Sequence, residues 1–191
     1  MHLASNKSRK RQVYNYEILN YEVVDGDTIK VYLDLGFNSY KVTSVRLSGI
    51  DTPELRSASE KEKAGALLAK EVLKYLLEYA FQDKVELIST SVDMYGRPIG
   101  SIYCSKFNDN LNYIMTDIGA AREHHGSKAR LPWVEADMDE LIKKCNLFLN
   151  NREARLDELY RKGVGYLNRG LHLNSAISHK IDDIYDPFDT L

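Results

Sequence analysis

Residues 21–33, Tyr21-Glu22-Val23-Val24-Asp25-Gly26-Asp27-Thr28-Ile29-Lys30-Val31-Tyr32-Leu33, decide how the chain begins to fold. Ile29, Val31 and Leu33 recur at period two, the spacing of a strand with one face turned inward. Asp25-Gly26 separates that run from Val23-Val24, and an Asp-Gly pair readily supplies the positive φ angles of a tight turn. A β-hairpin is therefore predicted. Moving outward, Tyr40 to Leu47 makes a third run with Val45 and Leu47 on one face, and Lys84 to Ser89 and Ile99 to Tyr103 bring the count to five strands. Five short strands in under about 100 residues predict a small barrel of the OB type.

Between the third and fourth strands, Ala64, Leu67, Leu68, Val72, Tyr75, Leu76 and Tyr79 recur at spacings of three and four, the stripe of an amphipathic helix that caps the barrel. A second helix is predicted from Leu111 to Ile118, stopped by Gly119, and a third from Asn151 to Lys162, stopped by Gly163. The intervening Glu123 to Leu149 holds Trp133 after Pro132 and a further helical stretch, Val134 to Leu149, and reads as an insertion or lid. The expected class is α+β: a five-stranded OB-fold β-barrel with about three packed helices plus an inserted helical segment. The expected organisation is a basic flexible arm at 1–13, one domain at 14–170 with its insertion at about 123–149, and an acidic tail at 171–191.

A length of 191 residues suits one domain with a core of its own. The composition, 43% hydrophobic and 28% charged, is that of a soluble globular protein, and no apolar run approaches the roughly 20 residues that span a bilayer. Lys7, Arg9, Lys10 and Arg11 are followed by no apolar stretch of the export type, so the expected location is the cytoplasm, or the host cytoplasm for a virus-encoded chain. There Cys104 and Cys145 should be reduced. A net charge of -2 excludes coating of nucleic acid by bulk electrostatics, so any contact with a polyanion must be local.

The segments that carry chemistry are Asp25-Gly26-Asp27-Thr28 between strands, Arg46 to Glu54 leaving a strand, and Tyr95-Gly96-Arg97 entering one. Asp27 and Asp51 supply the hard oxygens that Ca2+ prefers, and the Thr52 backbone carbonyl can add another. Glu54 follows Asp51 across a stiffening proline and is placed to orient or deprotonate a water. Arg46 and Arg97, as planar forks, suit a phosphate in its ground and transition states. Tyr95 is the tyrosine placed for substrate contact, whereas His124-His125 reads as surface or capping.

In this order, the three segments resemble the signature of the staphylococcal nuclease (thermonuclease-like) family, over about Tyr14 to Ala121. The resemblance implies an OB-fold endonuclease that hydrolyses DNA and RNA with one Ca2+ ion per active site and leaves 3′-phosphate ends. It implies Asp27 and Asp51 as metal ligands with the Thr52 carbonyl as a third, Glu54 as general base through water, and Arg46 and Arg97 as phosphate clamps. Where tyrosines are expected near the nucleotide, the chain instead reads Arg122-Glu123-His124-His125-Gly126. The alternative is a non-catalytic OB-fold module that binds nucleic acid or protein; it would have lost some of Asp27, Asp51, Glu54, Arg46 and Arg97, and all five stand. A protein partner would be met by the inserted segment or the tail.

Overall fold

The computed structural model describes residues 13–107, 109–124 and 131–169, with the side chains of the last helix described as far as Arg161. Residues 1–12 of the basic arm, the acidic tail and His125 lie outside the described residues. In chain order the elements are β1 (Tyr14–Asp25), β2 (Thr28–Asp34), β3 (Tyr40–Leu47), β4 (Ile50–Asp51), α1 (Glu60–Ala80), β5 (Val85–Val92), β6 (Pro98–Cys104), β7 (Asp109–Asn110), α2 (Leu111–Ile118), β8 (Arg122–Glu123), α3 (Glu135–Asn150) and α4 (Arg152–Arg169).

The first hairpin forms where the alternation breaks: β1 and β2 pair antiparallel, with Val23 opposite Ile29 and Asp25 opposite Thr28. The turn is pinned by the Asp25 carboxylate, which accepts the Asp27 N–H at 3.0 Å. Gly26 is not among the positive-φ residues, contrary to the reading of Asp-Gly as a left-handed turn. Space demands it instead, since a Cβ there would stand 2.9 Å from Thr52 Cγ2 and 3.0 Å from Ala69 Cβ.

Strands run in the order β3-β2-β1-β5-β6-β7, and β3 also lies parallel to β6, with Arg46 opposite Ile99 and Leu47 opposite Gly100. That short seam closes β1, β2, β3, β5 and β6 into the barrel. Alternate residues point inward, so Ile29, Val31, Leu33, Val45, Leu47, Leu87 and Ile102 are buried together. Each such aliphatic side chain contributes about 1.5–3 kcal/mol by leaving water.

Helix α1 starts at Ser59, whose hydroxyl accepts the Glu62 N–H, and the acidic Glu60 and Glu62 suit the positive end of the helix dipole. Its buried face is wider than the predicted stripe and turned from it: Ala66, Ala69, Leu73 and Leu77 are buried, while Leu67 is 55% exposed. The physical reason is that α1 is covered twice, by the barrel and by α3, whose Met138 and Leu141 reach it at Gly65. Lys61 ties the starts of the two helices together through Glu135 at 3.1 Å and Asp139 at 2.7 Å.

Helix α2 is capped by Asn110 and ends at Gly119, in the left-handed region at φ 83°. Helix α4 does not stop at Gly163; its backbone stays helical to Arg169, because an interior glycine weakens a helix by about 1 kcal/mol without ending it. Cys104 and Cys145 are both buried and free. Among the described residues, no helix is long and apolar enough to cross a membrane.

Candidate active site

Three chain segments meet at the edge of the barrel. The β1–β2 turn delivers Asp27, 3% exposed, and the short β4 delivers Asp51 and Thr52, at 0% and 1%. The Thr52 N–H donates to Asp27 Oδ2 at 3.1 Å, and the Thr28 hydroxyl donates to Asp27 Oδ1 at 3.1 Å. Arg46 comes from the end of β3, opposite Thr28 in the β2–β3 register. Its guanidinium forms an ion pair with Asp27 Oδ1 and donates to the backbone carbonyls of Asp27 and Ile50, both at 3.2 Å. Its other terminal nitrogen stands 3.8 Å from Asp51 Oδ1. One planar cation thus reaches both buried carboxylates, which is the pairing that lets such groups stay in a nearly dry site.

A second cation, absent from the sequence reading of the site, completes the surroundings of Asp51. Arg122 donates to Asp51 Oδ2 through Nε at 3.0 Å and through Nη2 at 2.8 Å. The pairing follows from topology: β8 lies antiparallel to β4, with Asp51 opposite Arg122, and the His124 N–H donates to the Gly49 carbonyl at 2.9 Å. The guanidinium stacks on the Trp133 ring, 4.0 Å from its centroid, and also donates to the carbonyls of Leu131 and, at 3.4 Å, Pro132.

Glu54 and Arg97 stand on neighbouring turns. Glu54 is exposed, two residues beyond Thr52; its N–H donates to Glu62 at 3.3 Å and its carbonyl accepts the Ser57 N–H at 3.2 Å. Arg97 immediately precedes β6, two residues before Ile99, which pairs with Arg46. Its side chain is held by Asp93 at 2.7 Å and lies 5.6 Å from the ring of Tyr95, which is 76% exposed. Burial works against ionisation of Asp93, but hydrogen bonds from the Arg97 N–H and guanidinium and from the Tyr95 N–H outweigh it, and its carboxyl is held below the usual range.

Among the described residues, no cluster of three or more His, Cys, Asp or Glu gathers as a metal site. The donor set still fits a single hard cation, because the Asp27 and Asp51 oxygens are near enough for one guanidinium to touch both. Among the described residues, no His or Cys joins them.

No curated protein matches the chain. The family model described as staphylococcal nuclease homologue matches residues 44–143, from within β3 into α3, a stretch holding Arg46, Asp51, Thr52, Glu54, Arg97 and Arg122. With that match covering more than half of the 191 residues, and with the closed five-stranded barrel that carries it, the chain belongs to the family of staphylococcal nuclease homologues, a nuclease family whose members bind nucleic acid.

Proposed function

We propose that this chain is a Ca2+-dependent nuclease that hydrolyses phosphodiester bonds of DNA and/or RNA and leaves 3′-phosphate ends. The observation that carries the reading is the pair of buried carboxylates, Asp27 and Asp51, spanned by the one guanidinium of Arg46 at the barrel edge. Asp27, Asp51 and the Thr52 carbonyl would hold the ion, which when bound supplies positive charge against a phosphate oxygen.

The chain's own side chains divide the remaining work. Glu54, open to solvent two residues from Thr52, takes a proton from the attacking water. The water oxygen bonds to phosphorus while the bond to the 5′-oxygen breaks and that oxygen takes a proton from solvent water, so that the products are a 3′-phosphate and a 5′-hydroxyl. Arg46, at the end of β3, and Arg97, just before β6, which pairs with β3, face the phosphoryl oxygens and offset charge that grows in the transition state. Asp93 holds Arg97 for that contact, and Tyr95 beside it offers an exposed ring to a base.

The test incubates the purified protein with single- and double-stranded DNA and RNA in Ca2+, in Mg2+ and in chelator, beside Glu54→Gln. Cleavage should need the cation, give 3′-phosphate ends, and fall about 10²–10⁴-fold in turnover in the variant. Cleavage that persists in chelator overturns the reading.

A further inference from the structure

The two oxygens of Asp51 have different neighbours. Oδ1 stands 3.8 Å from Arg46, while Oδ2 takes two donors from Arg122, at 3.0 and 2.8 Å. Arg122 is itself fixed on several sides: by its register opposite Asp51, by the Trp133 ring at 4.0 Å, and by the carbonyls of Leu131 and Pro132. Trp133 Nε1 is buried and has no hydrogen-bond partner among the described residues, so stacking, not a hydrogen bond of its own, places the ring. Behind it α3 begins, anchored to α1 by Lys61.

We infer that Arg122, stacked on Trp133, is a positioning residue that holds Asp51 by one oxygen, so that the carboxylate meets the cation through the other and in a fixed plane. This rests on the reading of Asp27 and Asp51 as cation ligands. Two effects compete in such an arrangement. As a cation near the ion, Arg122 weakens its binding by repulsion; as a fixed fork on Oδ2, it prevents the carboxylate from rotating or chelating with both oxygens. The residue therefore serves geometry at some expense in affinity, and the two properties should separate when it is changed. A residue that merely supports the fold would lose both together.

The experiment measures Ca2+ binding by calorimetry, turnover on single-stranded DNA, and the emission of Trp133, the only tryptophan in the chain. In Arg122→Gln, Ca2+ should bind at least as tightly as in the wild type while turnover falls about 10–100-fold. The Ca2+-dependent change in Trp133 emission, expected in the wild type, should disappear with the stack. Arg122→Lys keeps the charge without the fork, so wild-type affinity with intermediate turnover is expected, and this variant carries the test if Arg122→Gln does not fold. Loss of affinity and turnover in parallel, or unchanged turnover in either variant, overturns the inference. If the wild-type protein binds no Ca2+ at all, the proposed cation site falls with it; if the wild type binds and only the Arg122 variants disagree, this inference alone falls.

Discussion

Replacing Asn112 with leucine, a residue of similar size, removes a buried amide that stitches the barrel seam. Asn112 is 1% exposed. Its Nδ2 donates to the carbonyls of Ser48 at 2.8 Å and Gly100 at 3.2 Å, and its Oδ1 accepts the Ile102 N–H at 3.3 Å. These backbone groups flank the contact of β3 with β6, which is only two residue pairs long. Gly100 keeps another donor, the Ser48 N–H at 2.8 Å, so the substitution chiefly strands the Ser48 carbonyl and the Ile102 N–H. Each buried group left without a partner costs about 1–3 kcal/mol. Burial of the leucine side chain returns about 1.5–3 kcal/mol. The net loss is about 2 kcal/mol, and Asn112→Ala, with less returned, should lose about 3 kcal/mol. Asn112→Asp should be the worst of the three, because it turns an acceptor toward two carbonyls. Urea unfolding followed by circular dichroism measures the loss as a lower midpoint at unchanged slope. A leucine variant within about 0.5 kcal/mol of the wild type, with an aspartate variant no worse, would refute the account of the seam.

Three further outcomes are expected. Gly26→Ala drives a methyl against Thr52 and Ala69, with contacts of 2.9–3.0 Å, so it should cost about 1–3 kcal/mol in thermal unfolding and also weaken Ca2+ binding, by displacing the backbone that meets Asp27. Burial pushes the Cys145 thiol from 9.0 up to about 12, so between those values the unfolded chain releases a proton that the folded chain keeps; stability should fall as pH rises above about 9, and Cys145→Ala should flatten that fall in urea midpoints taken across the range. Asp93 has the opposite sign: its lowered value gives a contribution present above 3.8 and lost as pH falls through the folded value. Asp93→Asn should remove that part of the acid slope and, by loosening Arg97, reduce turnover in the cleavage assay.

The barrel was legible because alternation is a local signal: Ile29, Val31 and Leu33 declare an inward face without reference to anything distant. The limits of α2 were legible for the same reason, since Gly119 ends the helix in the conformation its lack of a Cβ permits. Other features depend on what packs from elsewhere. Gly26 is required by Thr52 and Ala69, not by its own turn, and the exposed Leu67 reflects which sides of α1 are covered. Arg122 lies 71 residues from Asp51, and no spacing joins them until β4 and β8 pair. Asp27, Asp51, Thr52 and Arg46, singled out in the sequence for their chemistry, are gathered in contact by the fold, whereas Glu54 and Arg97 are set on the turns beside them.

The charges of Asp27 and Asp51 are matched one for one by those of Arg46 and Arg122, so this quartet casts little field past a Debye length of about 8 Å. On a chain of net charge -2, that cancellation leaves little to pull a polyanion inward from bulk solvent. Any such pull would come instead from the cation held by Asp27 and Asp51, so the rate of encounter with a nucleic acid strand should depend on Ca2+ occupancy.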